Sequence, residues 1–203
     1  MKNNKRVRCL KYLIMENAKL VLEEADLLMA VGDVAEKINS RFSGEDVVLV
    51  CVLKGAAYFT VDLSRLLDIK HSIYFIDASS YDGQKRQEVF IADNLIPEKF
   101  VGKKVIILDE LIDSGHTLFN IKKSFLEFMS EEDVTTCVAM NKVLCGKEKI
   151  MEADIIGIDV PDVWLVGYGL DDNGFHRNLM DVYAVPKVVD SDKTDDDIRI
   201  FGS

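Results

Sequence analysis

The chain has 203 residues, 48% of them hydrophobic and 30% charged, and carries a formal net charge of −10. That length suits one α/β domain with a small appendage, and an acidic balance without a basic stripe argues against non-specific nucleic-acid binding. A polyanionic ligand would have to overcome this repulsion locally, for which a divalent cation is the natural device.

The N-terminus is basic (Lys2, Lys5, Arg6, Arg8), but the apolar patch after it is broken by Lys11. It is too short for a signal peptide or a membrane span, so a cytoplasmic location and no membrane partner are expected. Cys9, Cys51, Cys137 and Cys145 show no CxxC spacing and read as small buried hydrophobes of a reducing compartment. The pattern from Val34 to about Phe42 predicts a helix that stops at Ser43-Gly44. Val47 to Leu53 is a continuous aliphatic run, the signature of a strand buried on both faces, and Lys54-Gly55 ends it. Ala56 to Leu67 has helical spacing, and Ser72 to Ala78 is a further strand. Ser79 to Asn94 is polar and aperiodic, which predicts a long mobile loop, hairpin-like. Val105 to Leu108 is a strand, Thr117 to Met129 a helix and Val134 to Met140 a strand. Three short strands follow at Ile155 to Ile158, Trp164 to Tyr168 and Val182 to Val185. The tail from Asp190 to Asp197 is acidic and expected to be solvated. Strands alternating with helices indicate a parallel sheet, whose ligands bind beyond the carboxyl ends of the strands. With no internal repeat or low-complexity linker, residues 1–203 read as one domain.

Residues 105–118 carry most of the chemistry. A buried strand runs into Asp109 and Glu110, and two apolar residues later comes Asp113-Ser114-Gly115-His116-Thr117, where a helical pattern begins. Carboxylates at that edge can hold diol hydroxyls or a metal, Asp113 can move a proton, and the loop amides at a helix N-terminus can hold a phosphate. A junction whose Asp and Ser merely cap a helix has the same local pattern. The stretch is not a P-loop: it lacks Gly-Lys-Ser/Thr, and acids stand where a Walker loop has glycines.

This stretch closely resembles the phosphoribosyl-diphosphate motif of the phosphoribosyltransferases. Three further segments resemble the hypoxanthine–guanine branch of that family: Leu53-Lys54-Gly55, Asn141-Lys142, and Val160-Pro161-Asp162-Val163-Trp164-Leu165-Val166-Gly167-Tyr168-Gly169-Leu170-Asp171. The resemblance covers about residues 20–190. It implies an α/β fold of parallel strands flanked by helices, with a small hood built from the two terminal segments and a flexible lid carrying Ser80 and Tyr81. It also implies roles. Asp109, Glu110, Asp113, Ser114, Gly115, His116 and Thr117 would bind the phosphoribosyl group. Lys54, Gly55 and Arg177 would bind diphosphate, with a non-proline cis peptide at Leu53–Lys54. Lys142 would meet the exocyclic oxygen of a 6-oxopurine, Trp164 would stack on the base, and Leu165 and Asp171 would complete the base site. Asp171, Glu110 and Asp109 would serve Mg2+. Asp113 would be the catalytic proton carrier.

The chain departs from the family pattern in reading Asp109-Glu110 where Glu-Asp is usual, and Ala56 where the diphosphate loop often has a second glycine. The expected reaction is transfer of ribose 5-phosphate from phosphoribosyl diphosphate to N9 of hypoxanthine, with guanine as a second base, in a homodimer or homotetramer. A xanthine-preferring or pyrimidine-specific sister enzyme is an alternative. Another is a regulator of the same fold that only senses phosphoribosyl diphosphate. His71 and His176 have no partners at ligand or triad spacing and are expected to be structural or exposed.

Overall fold

The structure, a computed structural model, describes residues 17–80, 89–91, 95–146 and 148–186, with backbone alone at 78–80 and 89–91. The predicted acidic tail and Tyr81 of the lid lie outside the described residues.

The strands are β1 (Lys19–Leu22), β2 (Val47–Leu53), β3 (His71–Ser80), β4 (Val89–Ile91), β5 (Lys104–Ile112), β6 (Val134–Val143), β7 (Ile155–Pro161), β8 (Leu165–Val166) and β9 (Val182–Ala184). The α-helices are α1 (Glu24–Arg41), α2 (Ala57–Leu66) and α3 (His116–Leu126). The main sheet has the order β4-β3-β2-β5-β6-β7. β3, β2, β5, β6 and β7 run parallel, and β4 adds an antiparallel edge.

The period-2 alternation of a strand explains why β2 and β5 read as unbroken apolar runs. Val47, Leu49, Ile106 and Leu108 face the core shared with Leu27, Val31, Val34 and Ile38 of α1 and Phe59 and Leu63 of α2. Val48, Val50, Val52, Val105 and Ile107 face the opposite core, with Leu118, Ile121 and Phe125 of α3 and with Phe100. A second sheet, β1-β9-β8, is antiparallel and joins the two ends of the described chain. Its Leu22, Leu165 and Val182 enter the α1–α2 core, which seats this small sheet on that side.

Several boundaries differ from the sequence reading. Helix α1 begins at Glu24, ten residues before Val34, because Leu27, Ala30 and Val31 extend the same buried stripe. Gly32 inside it is a local cost of about 1 kcal/mol that packing on either side overrides. β5 continues through Asp109 and Glu110 to Ile112, held by parallel pairing of Leu111 with Met140 and Ile112 with Asn141. Helix α3 ends at Leu126, not Met129, and the chain closes there in a turn from Phe128 N–H to Phe125 O. The strand expected at Trp164 to Tyr168 shrinks to Leu165–Val166. Gly167 turns the chain at φ 104°, where an added Cβ would lie 2.1 Å from Asp181 O. β1 escaped the sequence reading. The long loop is hairpin-like at its base, where Val89–Ile91 pairs with Ala78–Ser80.

Candidate active site

Chain order reverses across the main sheet between β2 and β5: β3 lies to one side of this pair, β6 and β7 to the other. Such a switch point leaves a crevice at the carboxyl ends of the two strands, because their following connections diverge. A cleft of about 610 Å3 lies there. Lys54 and Gly55 line it from the end of β2, Asp109 and Glu110 from β5, Thr117 from α3, and Asp171 and Arg177 from the turn before β9. The Leu53–Lys54 peptide is cis, as expected.

Gly55 leaves room for the Glu110 side chain. A Cβ there would fall 1.7 Å from Glu110 Oε1, so the Glu110 carboxylate rests directly on the Gly55 backbone. Asp109 is buried, with Oδ1 accepting from the Glu110 N–H at 3.0 Å. Burial, and then the adjacent Glu110 charge, push its carboxyl well above the ordinary aspartate range. A ligand hydroxyl or a cation at this position would relieve that penalty.

Six residues beyond Asp109, Gly115 adopts φ 84° at the start of α3 and leaves 2.7 Å between a hypothetical Cβ and Met151 O. A side chain there would meet both backbone strain and a clash, so the tight Ser114-Gly115 loop is dictated locally. His116 opens α3 and is exposed, and Thr117 turns toward the cleft. Ser114 O accepts from Ile150 N–H at 2.9 Å. Asp113 is paired outside this loop: Lys142 Nζ donates to its Oδ2 at 2.7 Å. The two side chains come from the tips of adjacent strands. Lys142 is 9% exposed and Asp113 54%, so the ammonium is anchored and the carboxylate faces outward.

The segment 167–177 folds back over the cleft. Arg177 Nη2 bonds Asp171 Oδ1 at 2.5 Å, Arg177 Nη1 donates to Gly169 O, and Asp171 Oδ2 accepts from Gly174 N–H at 2.6 Å. Gly169 lies over Gly55, where a Cβ would be 2.1 Å from Gly55 O. Lys142 is level with Val160 in the β6–β7 register, and Trp164 follows at the carboxyl end of β7, 42% exposed. Asp113, Ser114, His116, Lys142, Trp164 and Leu165 are not among the residues lining the 610 Å3 cleft; the Asp113–Lys142 pair sits at the same sheet edge.

The phosphoribosyl transferase domain model matches residues 18–173. The chain belongs to the phosphoribosyltransferase family. It is similar to the hypoxanthine-guanine phosphoribosyltransferase of Aquifex aeolicus, 36% identical over 170 residues that cover 82% of this chain and 94% of that one. It is also similar to the hypoxanthine phosphoribosyltransferase of Escherichia coli, with 31% identity over 79% of this chain and 91% of that one. A solved hypoxanthine-guanine phosphoribosyltransferase from Bacillus anthracis superposes with a TM-score of 0.68 at 32% identity, covering 83% of this chain and 98% of that one.

In this phosphoribosyltransferase the cleft holds four carboxylates (Asp77, Asp109, Glu110, Asp171) against two cations (Lys54, Arg177). That excess of acid fits a divalent cation brought in with a phosphate-rich substrate, since Mg2+ takes one or two protein carboxylates and fills its remaining positions from phosphate and water. The sequence reading missed Asp77, at the end of β3 opposite Leu53. It also missed Asp62, whose Oδ2 accepts from the buried Tyr168 hydroxyl at 2.9 Å and ties the 167–171 turn to α2. A lone aspartate within a helical pattern gives no signal of a partner 106 positions away. His71 bonds Ile69 O through Nδ1 at 2.9 Å, and His176 is buried, as their structural reading requires.

Proposed function

We propose that this phosphoribosyltransferase transfers the 5-phosphoribosyl group from phosphoribosyl diphosphate to N9 of hypoxanthine, with guanine as a second base, giving IMP or GMP and diphosphate. The observation that carries this reading is the Asp113–Lys142 pair beside a cleft lined by Lys54, Gly55, Asp109, Glu110 and Thr117. The pair sets a proton acceptor next to a cation, which suits the N7 and O6 edge of a 6-oxopurine. The names of the relatives from A. aeolicus and E. coli point the same way.

The bond between the ribose C1 and the diphosphate oxygen breaks as N9 bonds to C1, and positive charge builds on the ribose ring. Asp109 and Glu110 face that charge and stabilise it more in the transition state than in the ground state. The Ser114-Gly115-His116-Thr117 amides hold the 5-phosphate at the start of α3. Arg177 exchanges Asp171 for the diphosphate, and Lys54 supports the same group. Mg2+, held by Asp171 with Asp109 and Glu110 near, would neutralise the leaving diphosphate. Lys142 exchanges Asp113 for the exocyclic oxygen of the base, Leu165 contributes backbone groups to the base edge, and Trp164 stacks on the ring. Asp113, freed from Lys142, exchanges a proton with N7. Ser80 and Tyr81 belong to the lid in this reading. A cytoplasmic location belongs to the same proposal. Separately, among the described residues no helix is long and apolar enough to cross a membrane. A homodimer or homotetramer accords with exposed apolar side chains such as Tyr58, Val61 and Phe75 on α2 and β3.

Replacing the proton carrier tests the reading. Asp113→Asn should lower the rate of IMP formation by about 10²–10⁴-fold while phosphoribosyl diphosphate binding, followed by calorimetry, stays as in the wild type. An unchanged rate would remove Asp113 from this role.

A further inference from the structure

Two lysines near the carboxyl end of β6 have side chains largely covered by protein, Lys142 buried and Lys149 half-buried as whole residues. Lys142 is 9% exposed and is matched by Asp113. Lys149, at 8%, lies in the 144–154 connection between β6 and β7, and nothing in the reaction described above uses it. Its ammonium donates to Asn141 Oδ1 and to Glu152 Oε2, the latter at 3.2 Å. Asn141 in turn donates from Nδ2 to Asp159 Oδ1 of β7 at 2.6 Å. The positive charge on one side and the negative charge on the other leave the Asn141 amide a single favourable orientation. Asn141 is the residue before Lys142, and both line a cavity of about 600 Å3 together with Lys149, Glu152 and Asp159.

The same connection braces the phosphate loop by backbone contacts, through Ile150 N–H to Ser114 O and Met151 against Gly115. Its Lys149 side chain acts elsewhere: the bonds it makes run to Asn141 and Glu152. A fixed Asn141 fixes the backbone from which the Lys142 stem departs. The position of the Lys142 ammonium at 2.7 Å from Asp113 then depends on the chain of contacts Glu152–Lys149–Asn141–Asp159.

We propose that Lys149 is a positioning residue for base recognition, holding the tip of β6 through Asn141 so that Lys142 meets the exocyclic oxygen of a 6-oxopurine. The proposal rests on the assignment of Lys142 to that oxygen. It separates two effects that a general loosening of the fold would join. Losing the Lys149 charge should disturb Lys142 while the backbone bond from Ile150 continues to hold the phosphate loop.

The test is steady-state kinetics on the full chain with Mg2+, varying hypoxanthine and phosphoribosyl diphosphate in turn. Lys149→Met and Asn141→Ala should each raise the KM for hypoxanthine by about 10–100-fold, with the KM for phosphoribosyl diphosphate unchanged. Lys149→Arg should restore much of the loss. If Lys149→Met does not fold, Asn141→Ala carries the test, since it keeps the Lys149–Glu152 pair. Equal rises in both KM values, or an unchanged KM for hypoxanthine in a folded variant, would overturn the proposal. A wild-type enzyme that fails to convert hypoxanthine would instead strike the base assignment on which the proposal rests.

Discussion

A methyl group on Gly55 would collide with the Glu110 carboxylate at 1.7 Å, so these two residues define each other's place. Gly55→Ala should drive Glu110 off the loop and raise the KM for phosphoribosyl diphosphate by about 10–100-fold. Initial-rate kinetics measure this, and an unchanged KM would detach Glu110 from the ribose site. Asp109 makes a different prediction, about stability. Burial and the Glu110 charge raise its pKa above the unfolded value, so the native protein keeps a proton that the unfolded chain releases. Stability therefore falls as pH climbs from the ordinary carboxylate range through the raised value. Asp109→Asn removes that slope. In metal-free buffer the variant should melt above the wild type at neutral pH, and the gap should close below about pH 4. Calorimetric melting across pH checks the sign. A variant that melts lower at neutral pH would show that the buried carboxylate stabilises the fold.

The elements that carry the site were legible where local chemistry sets them. β2 and β5 announce themselves as buried aliphatic runs, and the switch from strand to polar loop to helix at 105–118 places three kinds of ligand chemistry at one edge. What the sequence concealed depends on contacts between distant elements. The extension of β5 to Ile112 comes from parallel pairing with β6, and the early start of α1 from burial against β7 and α2. β1 is a four-residue strand whose partner, β9, lies at the other end of the described chain. The Tyr168 contact with Asp62 is of the same kind, since it ties the turn over the cleft to α2 across 106 positions. Tyr168→Phe should cost about 1 kcal/mol, the net value of one such bond. The Asp62 carboxylate left behind is part-exposed and keeps Arg65 at 3.6 Å. Denaturant unfolding measures the loss, and no change in midpoint would show that the turn is held by packing alone.

At the scale of the whole molecule, a chain of net charge −10 is read as an enzyme for a polyanionic donor, and its cleft is itself rich in carboxylates. That conflict is resolved if the donor arrives with a divalent cation and if the cations Lys54, Arg177 and Lys142 are presented locally. Arg177 and Lys142 are paired with Asp171 and Asp113, partners that the proposed ligands would replace. The sheet's switch point supplies the crevice, the small sheet with its 167–177 turn closes one side, and in the proposed reaction the β6–β7 edge would offer the base its polar contacts. The most direct measurement is an initial-rate comparison with Mg2+ and phosphoribosyl diphosphate against hypoxanthine, guanine, xanthine, adenine and uracil. Conversion of hypoxanthine, with guanine also accepted and adenine and uracil refused, is the predicted result. Turnover of adenine or uracil in preference to hypoxanthine, or of no base at all, would contradict it.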